Sequence, residues 1–213
     1  MRFKTFLTLN ENFSEPTPKE IAALIFRDCK PFLEKIDFAG RGAEYYVYRG
    51  LRTGVDVFAK LNVRKDRKPK DMPPEFHEAL NDYLVKKFGI PYRSESIFVT
   101  SRRNDAASYG DVCYVFPIGD FTFIWDKIID DPWIDLVDRN RWLGNYEVKD
   151  FVTYLEAHDS YQDTDFIGAA ISENEIMIAC DSYYAINTYQ LASRKMEFFM
   201  AEVTQELIRL YNS

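Results

Sequence analysis

Two glutamates one residue apart, Glu173 and Glu175, stand directly before the apolar run Ile176-Met177-Ile178-Ala179-Cys180. A carboxylate can stabilise a developing cation, and a second one can take the proton of an incoming nucleophile. The run reads as a buried strand with pairing from near Glu173. Residues i and i+2 of a strand share a face, so both acids are expected to look into one cleft. The bland alternative for a Glu-x-Glu is a polar turn entering a core strand. Two other strand ends carry complementary groups. Tyr48-Arg49-Gly50 closes an aromatic strand with a guanidinium suited to bidentate contact with phosphate or carboxylate. Phe98-Val99-Thr100-Ser101 ends on two hydroxyls that can orient a ribose or a neighbouring carboxylate. Singly, an Arg-Gly is a common turn and a Thr-Ser before a helix is a common cap.

The elements that must position these groups follow from periodicity. Thr17, between Pro16 and Pro18, marks a helix start. From Lys19 to about Lys35, Ile21, Leu24, Ile25, Cys29, Phe32 and Leu33 fall on one helical face, with Pro31 kinking or ending the helix. A glycine turn, Phe38 to Gly42, feeds the strand Tyr45 to Gly50, and Val55 to Ala59 alternates as a second strand. Pro74 to Lys87 is an amphipathic helix stopped by Gly89, and its His77 reads as structural or surface. Strands are expected at Ile97–Ser101, Val112–Pro117, Phe121–Trp125 and Tyr183–Ile186. Helices are expected at Arg102–Tyr109, at Tyr146–His158, with His158 capping its end, and from Ala192 onward. Asp126 to Asn145 lacks firm periodicity, and Asp159 to Asp165 reads as a surface loop.

Composition narrows the class. The 213 residues, 46% hydrophobic and 16% aromatic, can bury one core. The chain divides into an N-terminal helical region (1–40), a core (41–191) and a C-terminal helix (192–213) of a single domain. A net charge of −7 disfavours sequence-independent nucleic-acid binding by the body of the protein. The exception is the basic run Arg64 to Lys70, either a solvated loop or a contact for phosphate or an acidic partner. Cys29, Cys113 and Cys180 sit in apolar settings without metal-ligand spacing, so no metal is expected and reduced core thiols are. No apolar run approaches a membrane span, and Met1-Arg2-Phe3-Lys4 leads into no secretory segment; a cytoplasmic setting is the expectation.

In their order and spacing, the three strand ends resemble the arginine–serine–glutamate signature of the cholera-toxin-like mono-ADP-ribosyltransferases. The resemblance covers about Tyr45 to Ile186. It implies an α+β fold, a split β-sandwich of two small mixed sheets around an NAD cleft with flanking helices. NAD would be the substrate, with Arg49 and Gly50 at its diphosphate, Thr100 and Ser101 at the nicotinamide ribose, and Tyr109 near the nicotinamide. Glu175 would stabilise the cation, and Glu173 would position or deprotonate the acceptor. The family's hydroxyl triplet is Val-Thr-Ser here, which leaves open whether Thr100 or Ser101 takes the key role. The implied acceptor is an arginine on a host or cellular protein, with a nucleic-acid base as the alternative. Tyr48-Arg49-Gly50 and Phe116-Pro117-Ile118-Gly119 are also similar to segments of tailed-phage proteins, implying the cytoplasm of an infected bacterium. Two other roles compete. One is an NAD glycohydrolase using the same residues. The other is a catalytically silent interaction or virion-associated protein whose contact surface includes Trp133 and Trp142.

Overall fold

Thr17 starts the first helix by reciprocal capping. Its hydroxyl accepts from the Glu20 N–H at 3.3 Å, and the Glu20 carboxylate accepts from the Thr17 N–H at 2.8 Å. In the computed structural model, which describes residues 16–41, 45–52, 54–69, 72–128, 147–187 and 193–213, this is α1 (Pro18–Asp28). The single helix expected from Lys19 to Lys35 is two. Pro31 has no N–H and would press on the Arg27 carbonyl of a continuous helix, so the chain breaks at Cys29 and restarts as α2 (Lys30–Lys35). The expected glycine turn at Phe38 is instead one helical turn, α3 (Phe38–Arg41).

The protein is mixed α+β. Among the described residues there are two four-stranded sheets, both antiparallel throughout and not the mixed sheets that the resemblance implied. The first is ordered β1 (Tyr48–Leu51), β4 (Asp111–Pro117), β8 (Ser182–Asn187), β2 (Phe58–Asn62). The second is ordered β3 (Ile97–Val99), β7 (Ile176–Ala179), β5 (Thr122–Asp126), β6 (Tyr161–Gln162). Around them lie α4 (Pro74–Phe88), α5 (Tyr92–Glu95), α6 (Arg103–Ala107), α7 (Val148–His158), α8 (Phe166–Ser172) and α9 (Ser193–Tyr211).

Strand alternation divides the second sheet between two cores. Ile97, Val99, Phe123, Trp125, Ile176 and Ile178 join a cluster shared with the first sheet, α1 and α9. Ile124 and Met177, one residue out of phase, face a second cluster of Phe76, Leu80, Leu84, Phe151 and Leu155 from α4 and α7. Both faces of the sheet are therefore dry, which explains why β7 reads as an unbroken apolar run rather than an alternating one. Cys29, Cys113 and Cys180 are buried thiols, and burial pushes Cys113 and Cys180 up to about 12. No described helix is long and apolar enough to cross a membrane.

Several expected bounds shift. Pairing on β1 begins at Tyr48, and β2 occupies Phe58–Asn62 rather than Val55–Ala59. The loop from Asp159 to Asp165 contains β6, two residues whose pairing with β5 periodicity cannot reveal. Trp133 and Trp142, with most of the Asp126–Asn145 stretch, lie outside the described residues. The His158 Nδ1 sits 2.9 Å from the Tyr154 carbonyl in the last turn of α7, where Asp159 is the cap.

Gly50 shows what joins α6 to β1. A Cβ at Gly50 would lie 2.0 Å from the backbone oxygen of Ala106, whereas one at Gly54 would meet nothing within 4 Å. Overpacking of this kind typically costs about 1–3 kcal/mol. Gly50→Ala is therefore expected to destabilise the fold by an amount in that range, seen as a lower urea midpoint, with Gly54→Ala near wild type. Equal midpoints for the two variants would rule out the close approach.

Candidate functional site

The three sequence elements meet where the two sheets join. Tyr48 of β1 exchanges both backbone hydrogen bonds with Thr100, at 2.7 and 3.0 Å, so the end of β3 pairs with the arginine-bearing strand. On its other side β3 pairs with β7, Val99 opposite Ile176. Arg49 lies one residue along β1 from the bridge, and its Nη1 donates to the Phe98 carbonyl at 3.2 Å.

The glutamates are not on a strand. Ile171 and Ser172 belong to α8, Glu173 ends that helix in the left-handed region at φ 64°, and pairing starts only at Ile176. The expectation of two carboxylates sharing a face by strand period is therefore wrong, because the helix end turns the backbone between them. A left-handed non-glycine residue costs about 1–2 kcal/mol. Three contacts hold this turn in place. The Thr100 hydroxyl donates to the Glu173 carbonyl at 3.2 Å, and the Asn174 amide donates to the Asp126 carbonyl at 2.8 Å. Arg102 Nε donates to the Glu173 carboxylate at 2.9 Å.

The two hydroxyls divide their work. Thr100 Oγ1 also accepts from the Arg102 N–H at 3.0 Å, while Ser101 donates to the Ala170 carbonyl at 2.6 Å. Thr100 thus holds the acidic turn and Ser101 the helix before it. Gly50 is placed against α6, as described above. Tyr109 follows α6 and remains 55% exposed, with its hydroxyl close enough to act electrostatically on Arg67.

Two arginines and a phenylalanine complete the site: Arg67 entered the sequence reading only as one member of the basic run, Phe98 only as a strand residue, and Arg93 not at all. Arg93 Nη1 pairs with Glu175 Oε1 at 3.1 Å, with side-chain exposures of 13% and 34%. The guanidinium carbon of Arg67 lies 3.6 Å from the Phe98 ring centroid, and that of Arg93 lies 4.8 Å from it. The basic run is therefore not uniformly solvated. Arg64 is exposed and bonded to Asp66, while Arg67 turns inward, its N–H donating to the Ser94 carbonyl at 3.2 Å. Burial lowers the Arg67 pKa to about 10; the positive charges of Arg49 and Arg93 add to this, and Glu175 opposes it. Three guanidinium nitrogens here are buried without a hydrogen-bond partner: Arg49 Nε, Arg67 Nη1 and Arg93 Nε.

His77 is buried beneath this group rather than at the surface. Its Nε2 is 3.2 Å from the Ser94 hydroxyl and 3.3 Å from the Asn81 amide, and Asn81 accepts from the Arg93 N–H at 3.0 Å. The helix α4 thereby fixes the backbone that carries Arg93. No group of three or more His, Cys, Asp or Glu among the described residues could hold a metal ion. A separate cavity of about 310 Å³, lined in part by Lys65, Asp120, Cys180 and Asp181, lies past the other end of β7. Comparison with protein-family models, curated proteins and solved structures returns no match.

Burial, followed by the Arg93 and Arg67 charges, lowers the His77 pKa below its ordinary 6.5. The folded state then refuses a proton that the unfolded chain accepts. The stability contributed by neutral His77 is full above about 6.5 and is lost as pH falls through the lowered value. The urea midpoint of the wild type is expected to fall as pH is lowered below about 6.5. His77→Gln should flatten that fall. An unchanged slope would show that His77 does not titrate this way.

Proposed function

We propose that the protein is an NAD-dependent mono-ADP-ribosyltransferase of the arginine–serine–glutamate type, built as a split β-sandwich around an NAD cleft. The observation that supports this reading is the single junction at which Arg49, Thr100, Ser101, Glu173 and Glu175 meet through the β1–β3–β7 pairing.

In this reading the arginines receive the diphosphate of NAD, since a guanidinium matches phosphate oxygens with paired donors. The exposed Tyr109 ring offers a stacking face beside them. The bond between C1′ of the ribose and the nicotinamide nitrogen breaks with its electron pair leaving on nicotinamide, which departs neutral. Glu175 stabilises the positive charge that develops on the ribose. A nitrogen of the acceptor arginine then bonds to C1′ and gives up one proton, for which Glu173 is the base. Glu173 is suited to that task by position, because its exposed carboxylate lies on the solvent side of the turn. The acceptor is a protein of the cell, or of the host for a phage-encoded enzyme; a nucleic-acid base is the less favoured acceptor.

The test is labelled NAD incubated with a bacterial lysate, comparing wild type with two variants. Glu175→Gln is expected to reduce both nicotinamide release and protein labelling by about 10²–10³-fold, the size of a lost electrostatic stabiliser. Glu173→Gln should retain nicotinamide release and lose labelling. Full activity in Glu175→Gln would refute the assignment. Nicotinamide release without a labelled band would identify a glycohydrolase, and the absence of both would leave a binding role.

A further inference from the structure

Arg67 and Arg93 raise a question that the catalytic reading does not answer. Both guanidinium groups lie against the ring of Phe98, and Arg49 approaches the same residue through its carbonyl. The groups acting electrostatically on Arg67 are Arg49 and Arg93, both positive, offset by Glu175 and the Tyr109 hydroxyl. Arginines placed for structure alone usually find carboxylates or carbonyls for their donors. Here each of the three keeps one buried N–H nitrogen without a partner. Buried donors and crowded like charges both cost stability. The positions are nonetheless firmly built. Asn81 and His77 brace the Arg93 backbone, the Ser94 carbonyl takes the Arg67 backbone N–H, and the Phe98 ring lies against both guanidinium groups. A ligand of two or more negative charges, with several acceptor oxygens, would relieve both costs together.

We propose that Arg49, Arg67 and Arg93 form a diphosphate site on the Phe98 ring, and that the incoming diphosphate takes Arg93 from Glu175, releasing the carboxylate for its own work. The site stands on its own geometry and rests on the NAD reading only for the identity of the molecule that carries the diphosphate. Binding and unmasking are then one event: Glu175 is neutralised by Arg93 until the anion arrives. By linkage, Glu175 and the diphosphate compete for the same donor, so each weakens the other's hold on Arg93.

The probe is inorganic pyrophosphate, titrated into the full chain by calorimetry and followed in parallel by thermal denaturation. The wild type should bind it and unfold at a higher temperature in its presence. Arg67→Lys and Arg93→Lys keep the charge but lose the planar fork, and each should weaken binding about tenfold or more. Arg64→Ala, in the same loop but exposed, should bind as wild type does. Glu175→Gln should bind severalfold more tightly. Circular dichroism checks that each variant is folded. Should Arg67→Lys fail that check, Arg93→Lys and Glu175→Gln still decide the matter. The site is overturned if wild type ignores pyrophosphate or if both lysine variants bind it unchanged. Weaker or equal binding by Glu175→Gln overturns the exchange. Displacement of pyrophosphate by NAD supports the carrier named above. Pyrophosphate binding that NAD does not displace would remove the NAD reading and leave the arginine site standing.

Discussion

The Tyr48–Thr100 backbone pair is the constraint on which the site depends. Among the described residues it is an isolated backbone bridge between two sheets whose ladders are otherwise internal. Through it the strand bearing Arg49 is fixed beside the strand whose end holds Thr100 and Ser101. The pairing of β3 with β7 then fixes the acidic turn in the same frame. Neither sheet alone contains all three groups. The packing of α6 against Gly50, where a side chain could not fit, keeps β1 from drifting away from this position.

The junction sets positive against negative charge at close quarters. Glu173 and Glu175 each have an arginine, Arg102 on the exposed side and Arg93 on the half-buried side. The pairing separates two acids that sequence places one residue apart, so their roles can differ. Glu173 is presented to solvent from a strained backbone, and Glu175 faces the arginine group on Phe98. Strain held in place by a hydroxyl, an amide and a guanidinium is a pattern typical of sites whose geometry must not relax.

Much of the framework was legible because helices and strands announce themselves through period and punctuation. The α4 helix ends at Gly89 in the left-handed conformation, and its Phe76, Leu80, Tyr83 and Leu84 are buried as the spacing required. The inward face of α9, with Met200, Val203 and Leu207, was equally plain. The misreadings share a cause. A helix as short as α8, seven residues with two alanines and a glycine, has too few turns for a periodic signal, so the glutamates after it were given to the following strand. The two-residue β6 exists only because β5 is there to pair with it. Arg67 was hidden inside a run of exposed bases, and Arg93 stood alone in a turn; neither has a sequence neighbour that marks it.

The sequence by itself supplied part of the candidate site's composition: two hydroxyls closing one strand, two acids before another, and an arginine and glycine that lie inside β1 rather than at its end. These are local facts, set by residue type and by the few neighbours that decide where a strand stops. It also determined the α+β class, since amphipathic helices and apolar strands alternate along the chain. Only the tertiary structure decided which ends meet, because a bridge between residues 48 and 100 leaves no local trace. Only it drew Arg67 and Arg93 onto one ring, gave each glutamate its own partner and left three guanidinium nitrogens buried without one. Charge placement of this kind depends on distances across the fold, and through-space electrostatics has no periodicity along the chain.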